Sequence, residues 1–380
     1  MSFPPSLRIP FVDLSRASRE IWPTAREHIE HLALRADFVA GDSVVQLESL
    51  LAQQCGVKEV ACCANGTDAL ILALQAGGIG VGHRVAVPNL TFWATYEAIA
   101  HVGATPVLID VDHEHLQLSI DELLAAHKVH GLDACIIVHL FGWCHPDLKR
   151  LRALCVREGI RLIEDGAQAY GVSLTGEHGD IESVFQGAEI ATLSFYPTKV
   201  LGGCMDGGAV TTNCSATARR IRSLLNHGRK DAYSYEFVGW NSRMSSFQAA
   251  YLCAALPRAT GWLESRRQAL SHYASSLSRC GIEVITAPPG ILGNGYLAVL
   301  RLPQELVSKT QQTLRDAGIG TARVYPETLH QQEPAKGAVR HSDLAVSTLF
   351  TRQVLNIPLF PDLTKSEQDE VLDTVSRVFL

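Results

Sequence analysis

No apolar run in this 380-residue chain approaches the roughly 20 residues that cross a bilayer, so a membrane-spanning role is not expected. The opening stretch, MSFPPSLRIPFVDL, has one arginine and no continuous apolar segment, so no secretory signal is expected either. Positive charge is not in excess: 33 Lys and Arg stand against 39 Asp and Glu, for a net charge of −6. Nucleic-acid binders usually carry a basic face, and neither such a face nor a helix-turn-helix is visible. The ten cysteines include no C-x-x-C pair, and Cys62 and Cys63 sit inside the apolar stretch VACCA. Cysteines scattered in this way behave as small core residues, which suits a reducing cytoplasm better than a disulfide framework. Cys144 and His145 have the right atoms for zinc but no partner at ligand spacing, so no metal is expected. No G-x-G-x-x-G follows any apolar strand; GGIGVG ends a helical stretch with the wrong spacing, which excludes a dinucleotide fold. Internal repeats and low-complexity segments are also lacking.

What is present is alternation. From residue 57 the chain switches between short apolar strands and helical spacing: KEVACCA then TDALILALQAGG, RVAVPN then TYEAIAHVG, TPVLIDVD then SIDELLAAHKVHG, DACIIVHLFG then DLKRLRALCVREG, then IRLIED. Strands this short, β-branched and apolar throughout are buried on both faces by crossover helices, which predicts an α/β fold with a largely parallel sheet. ATLSFYP and GGAVTTN read as later strands. MSSFQAAYLCAAL continues through GWLESRRQALSHYASSL as one long helix, after which shorter strands and helices follow. The pattern predicts a large α/β domain over 1–255 and a smaller α+β domain over 256–380. Residues 326–345 show no period and read as a long loop, a possible lid.

Open α/β sheets bind ligands at the carboxyl ends of their strands. After VACCA comes NGTDAL, where Gly66 and Thr67 open a helix whose free N–H groups suit a phosphate, although Asn-Gly-Thr alone is more often an ordinary turn. After RLIE come Asp165 and Gln168; an Asp there is as readily a helix cap as a functional group. Phe92 and Trp93 stand at a loop-to-helix junction. LSFYPTKVLGG frames Lys199 between an aromatic–proline turn and Gly202–Gly203. Together they describe a phosphate cradle, an aromatic plate, a carboxylate, an amide and a lysine. Pyridoxal phosphate needs that set: a lysine for a Schiff base, a carboxylate at the pyridine nitrogen, a stacking face and an anion site. The chain order of glycine-led helix, Asp and Lys is that of the aspartate-aminotransferase-like fold (PLP fold type I).

Nearly the whole chain carries a more specific pattern. IPFVDL, ANGTDALILAL, PNLTFWATYEAI, GATPVLIDVD, VHLFG, EDGAQAYG, SFYPTKVLGG, MDGGAVTTN, NHGR, GWNSRMSSFQAA and LNIPLFPDLT follow one another in an order that resembles the DegT family of sugar aminotransferases. SFYPTK with EDGAQAYG upstream is the specific part. The resemblance implies pyridoxal 5'-phosphate as cofactor, with Lys199 in the Schiff base and then moving the proton. It implies Asp165 at the pyridine nitrogen, Gln168 at the ring hydroxyl and Phe92 rather than Trp93 stacked on the ring. Gly66, Thr67 and Ser194 would hold the phosphate, and Asn241 would reach the phosphate of a partner subunit in a homodimer with shared active sites. The implied reaction moves an amino group from glutamate to a UDP- or dTDP-linked keto sugar, in deoxyamino-sugar biosynthesis in the cytoplasm. Arg229, Lys230 and Arg243 are candidates to line the nucleotide groove. Arg301, Arg315, Arg323 and Arg340 could instead grip an amino-acid carboxylate. A dehydratase of the same family would carry histidine where Lys199 stands, and a non-catalytic cofactor-binding regulator would bring a DNA-binding element. The insert SLTGEHGDIESVFQGAEI, the stretch RVYPETLHQQ and VHLFGWCHPDL depart from the family pattern, and these are segments that resemble those shaping the sugar pocket.

Overall fold

The computed structural model describes residues 7–176 and 179–379. Short apolar segments bounded by glycine and polar turns become strands. In chain order they are β1 (Glu59–Cys63), β2 (Arg84–Pro88), β3 (Thr105–Ile109), β4 (Ala134–Val138), β5 (Arg161–Asp165), β6 (Ser173–Thr175), β7 (Ile181–Ser183), β8 (Ile190–Ser194), β9 (Gly208–Thr212), β10 (Glu283–Ile285), β11 (Ile291–Leu292), β12 (Ala298–Arg301), β13 (Val339–Arg340) and β14 (Val354–Ile357). Eight of them form one sheet in the order β1-β9-β8-β5-β4-β2-β3-β13. Every neighbouring pair from β8 to β13 is parallel, and β9 alone runs against both its neighbours. The expected α/β fold with a mostly parallel sheet is therefore the one the chain adopts.

Alternation along the strands feeds two cores. Cys135 and Ile137 enter one with Leu162 and Leu193, while Ala134 and Ile136 enter the other with Ile163 and Val210. Burying each such aliphatic side chain contributes roughly 1.5–3 kcal/mol, so a strand interior rarely holds a charge. Glu164 on β5 is the exception, at 1% exposure. His139 Nε2 lies 2.9 Å from it, and Arg152 donates through Nε at 2.7 Å and Nη2 at 2.9 Å. Burial pushes this carboxyl's pKa up, but the His139 and Arg152 contacts outweigh burial and hold it below the usual range.

Residues ahead of β1, not assigned above, form two helices, Leu14–Leu34 and Asp42–Cys55. The long helix expected across residues 244–277 is broken into Ser246–Ala255 and Ala259–Ser278, with a 3₁₀ turn at Leu256–Arg258. Pro257 causes the break, since it has no N–H to donate and its ring crowds the preceding turn. Farther on, β10, β12 and β14 make a separate antiparallel sheet whose core includes Ile9 from the start of the chain. Residues 326–345 are not structureless: two 3₁₀ turns lead into β13, which extends the main sheet beside β3. The insert after Asp165 forms the β6–β7 hairpin, joined by β11; its residues 177–178 lie outside the described residues. No described helix is long and apolar enough to cross a membrane.

Candidate active site

The carboxyl ends of β1, β5 and β8 lie on the same side of the main sheet, at one end of its strands. Asp165 pairs with Thr192 across β5 and β8, Ser194 with Gly208 across β8 and β9, and Gly208 with Cys63 across β9 and β1. This register brings the loop after β1 over the end of β8. Asn65 caps the helix Gly66–Ala76 by accepting from Asp68 N at 2.8 Å. A Cβ on Gly66 would stand 2.9 Å from Ser194 Cβ and 3.1 Å from Ser194 Oγ, and one on Gly208 would stand 2.9 Å from Gly66 N. Glycine at both positions lets the amides of the first helical turn approach Ser194. Amides at the start of a helix attract an anion through their unpaired N–H groups and the helix dipole.

Asp165 ends β5 at 5% exposure, facing away from the Glu164 cluster. Its Oδ2 accepts from Thr95 Oγ1 at 2.9 Å, and Oδ1 accepts from Ala167 N at 3.1 Å. Thr95 in turn lies 2.9 Å from Thr91 Oγ1. With one protein donor on each oxygen, the carboxylate keeps acceptor capacity for a cationic ring nitrogen.

Lys199 follows β8 in a turn closed by its own N–H on Tyr196 O at 2.8 Å. Side chains on Gly202 and Gly203 would collide with Pro197 O and with the Gln248 amide, so both glycines are needed behind the lysine. Its Nζ reaches the Tyr296 hydroxyl at 3.5 Å and stands 5.1 Å from that ring's centroid. Tyr296 is fixed from behind. Asn294 Oδ1 accepts from Tyr296 N at 2.9 Å, and Asn294 Nδ2 donates to Gln168 O at 2.7 Å and Tyr170 O at 2.9 Å. Arg266 Nη1 bonds to the carbonyls of Gly295, Tyr296 and Leu359. Burial pulls the Arg266 guanidinium down to about 10.

Gln168 is anchored at both ends. Its Oε1 accepts from Phe141 N at 2.6 Å, and its Nε2 donates to the Tyr325 hydroxyl at 2.7 Å. Tyr325 itself adopts a positive φ of 64°. Burial, then the neighbouring Tyr296, push its phenol well above the usual range, so it stays protonated and can donate. Phe92 immediately precedes the helix Trp93–His101 and is 59% exposed, on the wall of a cavity of about 340 Å³. Trp93 stacks on Tyr96 at 4.8 Å between centroids. Asn241 stands apart: it is exposed, and its Oδ1 accepts from Arg243. The neighbouring backbone nevertheless runs beside the anion loop, with Ala64 N bonded to Ser242 O at 3.1 Å.

Lys199, Asp165, Gln168, Ser194, Gly66, Thr67 and Phe92 thus gather at the ends of neighbouring strands. Thr95, Tyr296, Tyr325, Asn294 and Arg266 join them without having been expected. Only the Tyr325–Pro326 pair left a trace, as a departure from the family pattern. The set fits pyridoxal phosphate: a glycine-cleared anion cradle, an open carboxylate and a lysine could hold its phosphate, ring nitrogen and aldehyde.

The model of the DegT/DnrJ/EryC1/StrS aminotransferase family matches residues 23–376. The chain is 36% identical over 370 residues to the UDP-N-acetyl-3-dehydro-alpha-D-glucosamine 3-aminotransferase of Acidithiobacillus ferrooxidans, covering 97% of each chain. It is 34% identical over 357 residues to the UDP-2-acetamido-2-deoxy-3-oxo-D-glucuronate aminotransferase of Pseudomonas aeruginosa, covering 93% of this chain and 96% of that one. Its structure resembles the crystal structure of S. venezuelae DesV in complex with a ketimine intermediate, with a TM-score of 0.92, 32% identity, and 98% and 99% of the two chains covered. The chain belongs to the DegT/DnrJ/EryC1/StrS aminotransferase family and is a pyridoxal-phosphate-dependent sugar aminotransferase.

Proposed function

We propose that this enzyme transfers an amino group from glutamate to a keto sugar carried on a nucleoside diphosphate, UDP or dTDP. The observation that carries the reading is the meeting of Lys199 Nζ, the Asp165 carboxylate and the Gly66–Ser194 cradle at the strand ends. When bound, pyridoxal phosphate supplies the electron sink that loosens the C–H bond beside the transferred nitrogen. Lys199 would anchor the cofactor and, once free, would carry a proton on Nζ between cofactor and substrate. The Tyr296 hydroxyl, 3.5 Å away, would orient that Nζ. Asp165, held by Thr95, would keep the ring nitrogen protonated. Gln168 and Tyr325 would address the ring hydroxyl, Phe92 would cover the ring face, and Gly66, Thr67 and Ser194 would bind the phosphate.

The acceptors named for the relatives from A. ferrooxidans and P. aeruginosa support a sugar acceptor over a 2-keto acid. The test is spectral. Enzyme converted by glutamate to its amine form should return to the starting absorbance with a UDP- or dTDP-linked keto sugar, and with no 2-keto acid except the donor's own product. Rapid return with many 2-keto acids and none with keto sugars would identify a general amino-acid aminotransferase.

The proposal includes a homodimer in which Asn241 completes the partner's phosphate site. Tyr233 at 94% and Val238 at 95% exposure lie in the loop leading to Asn241, and apolar side chains so bare suit an interface. Arg229 and Lys230 on the same loop and the nearby Arg243 would line the nucleotide groove. Mixing Lys199→Ala with an Asn241→Ala variant should restore activity, because one site of each heterodimer has both residues intact. No rescue after demonstrated subunit exchange would put both residues in one subunit's site.

A further inference from the structure

Two buried hydroxyls behind Asp165 carry an inference that rests on the placement of that carboxylate at the ring nitrogen, proposed above. Thr91 precedes Phe92, and Thr95 lies in the first turn of the helix Trp93–His101. Threonines inside helices commonly return their hydroxyl proton to the backbone of the preceding turn. Thr310, Thr313, Thr348 and Thr374 do so here, each donating to the carbonyl four residues back at 2.7–2.9 Å. Thr95 instead donates to Asp165 Oδ2 at 2.9 Å, across 70 residues of chain. A hydroxyl has one proton, and Thr95 commits it to a carboxylate that has none to give. At its 2.9 Å contact with Thr91 Oγ1 it can therefore only accept. The relay has one direction: Thr91 donates to Thr95, and Thr95 to Asp165. Each donor in such a relay polarises the next, and all three side chains are buried, so bulk water does not compete for Oδ2.

We infer that Thr95 is a positioning residue for the cofactor's ring nitrogen, acting through Asp165, and that Thr91 acts through Thr95. Without the Thr95 hydroxyl, Oδ2 loses its protein donor in a site closed to water. The carboxylate then gains by turning toward another donor, away from the orientation that Thr95 and Ala167 give it.

The test is affinity. The full chain, freed of cofactor, is titrated by absorbance with pyridoxal phosphate and with its analogue carrying C–H in place of the ring nitrogen. Thr95→Val keeps the branched shape and removes the hydroxyl; it should weaken pyridoxal phosphate about tenfold. Thr95→Ser, which restores the hydroxyl, should recover most of that loss. With the analogue, Thr95→Val should change affinity by less than about twofold, because its ring offers the carboxylate no partner. A packing defect would weaken both alike. Thr91→Val should cost about threefold alone and nothing further beside Thr95→Val, as a residue acting through another must. No loss with pyridoxal phosphate, or an equal loss with the analogue, overturns the inference, as does a Thr91→Val effect that survives in the double variant. Should Thr95→Val fail to fold, Thr91→Val decides alone: its loss must vanish with the analogue. Equal affinity of the unaltered enzyme for cofactor and analogue would take Asp165 away from the ring nitrogen, and the inference falls with that reading.

Discussion

Lys199→Ala should lower transamination by at least about a thousandfold, since it removes both the covalent anchor and the proton carrier. The fold should survive. Lys199 is half-buried, its backbone turn is closed by Tyr196 O, and among the described residues its side chain hydrogen-bonds to the Tyr296 hydroxyl alone. The purified unaltered enzyme should be yellow, and borohydride should bleach it and leave the cofactor attached to Lys199, as peptide mapping would read. The alanine variant should bind the cofactor more weakly and take no such label. Normal turnover by that variant would remove Lys199 from the reaction.

Asp165→Asn should cost about a hundredfold or more in rate while leaving the protein folded and much of its cofactor bound. The physical reason is charge. A carboxylate at the ring nitrogen favours the protonated, electron-withdrawing ring, and a neutral amide does not. The amide is nearly the same size and keeps an oxygen for Ala167 N–H or Thr95 Oγ1, so the local hydrogen bonds can largely persist. Thermal melting and cofactor absorbance separate the two roles. Loss of folding with an unchanged rate per folded molecule would make Asp165 a structural cap, the alternative that the sequence left open.

Asp165 and Lys199 stand out in the sequence because each closes or follows a short apolar strand, where a polar residue has no packing reason to stand. The parallel sheet was legible for the same reason: Ile136, Ile137 and their neighbours are apolar on both faces, which only two layers of helices can cover. Phe92 and Trp93 were a harder pair, adjacent and chemically alike. Both line the same cavity, where the helix that starts at Trp93 leaves Phe92 exposed and lays Trp93 on Tyr96. Pro257 was visible in the sequence, yet helical periodicity on both sides hid the break it makes.

The residues that complete the site were out of reach of any local pattern. Tyr296 meets Lys199 across 97 residues of chain, and Tyr325 meets Gln168 across 157. Tyr296 is brought there by Asn294 and Arg266, whose partners are backbone N–H and carbonyl groups, and a backbone group has no sequence signature. Strand-end chemistry is therefore determined by the sequence itself, because burial on both faces constrains which residues a strand can hold. The tyrosines around that chemistry are decided only by tertiary structure, because they come from loops that the packing of distant elements brings together.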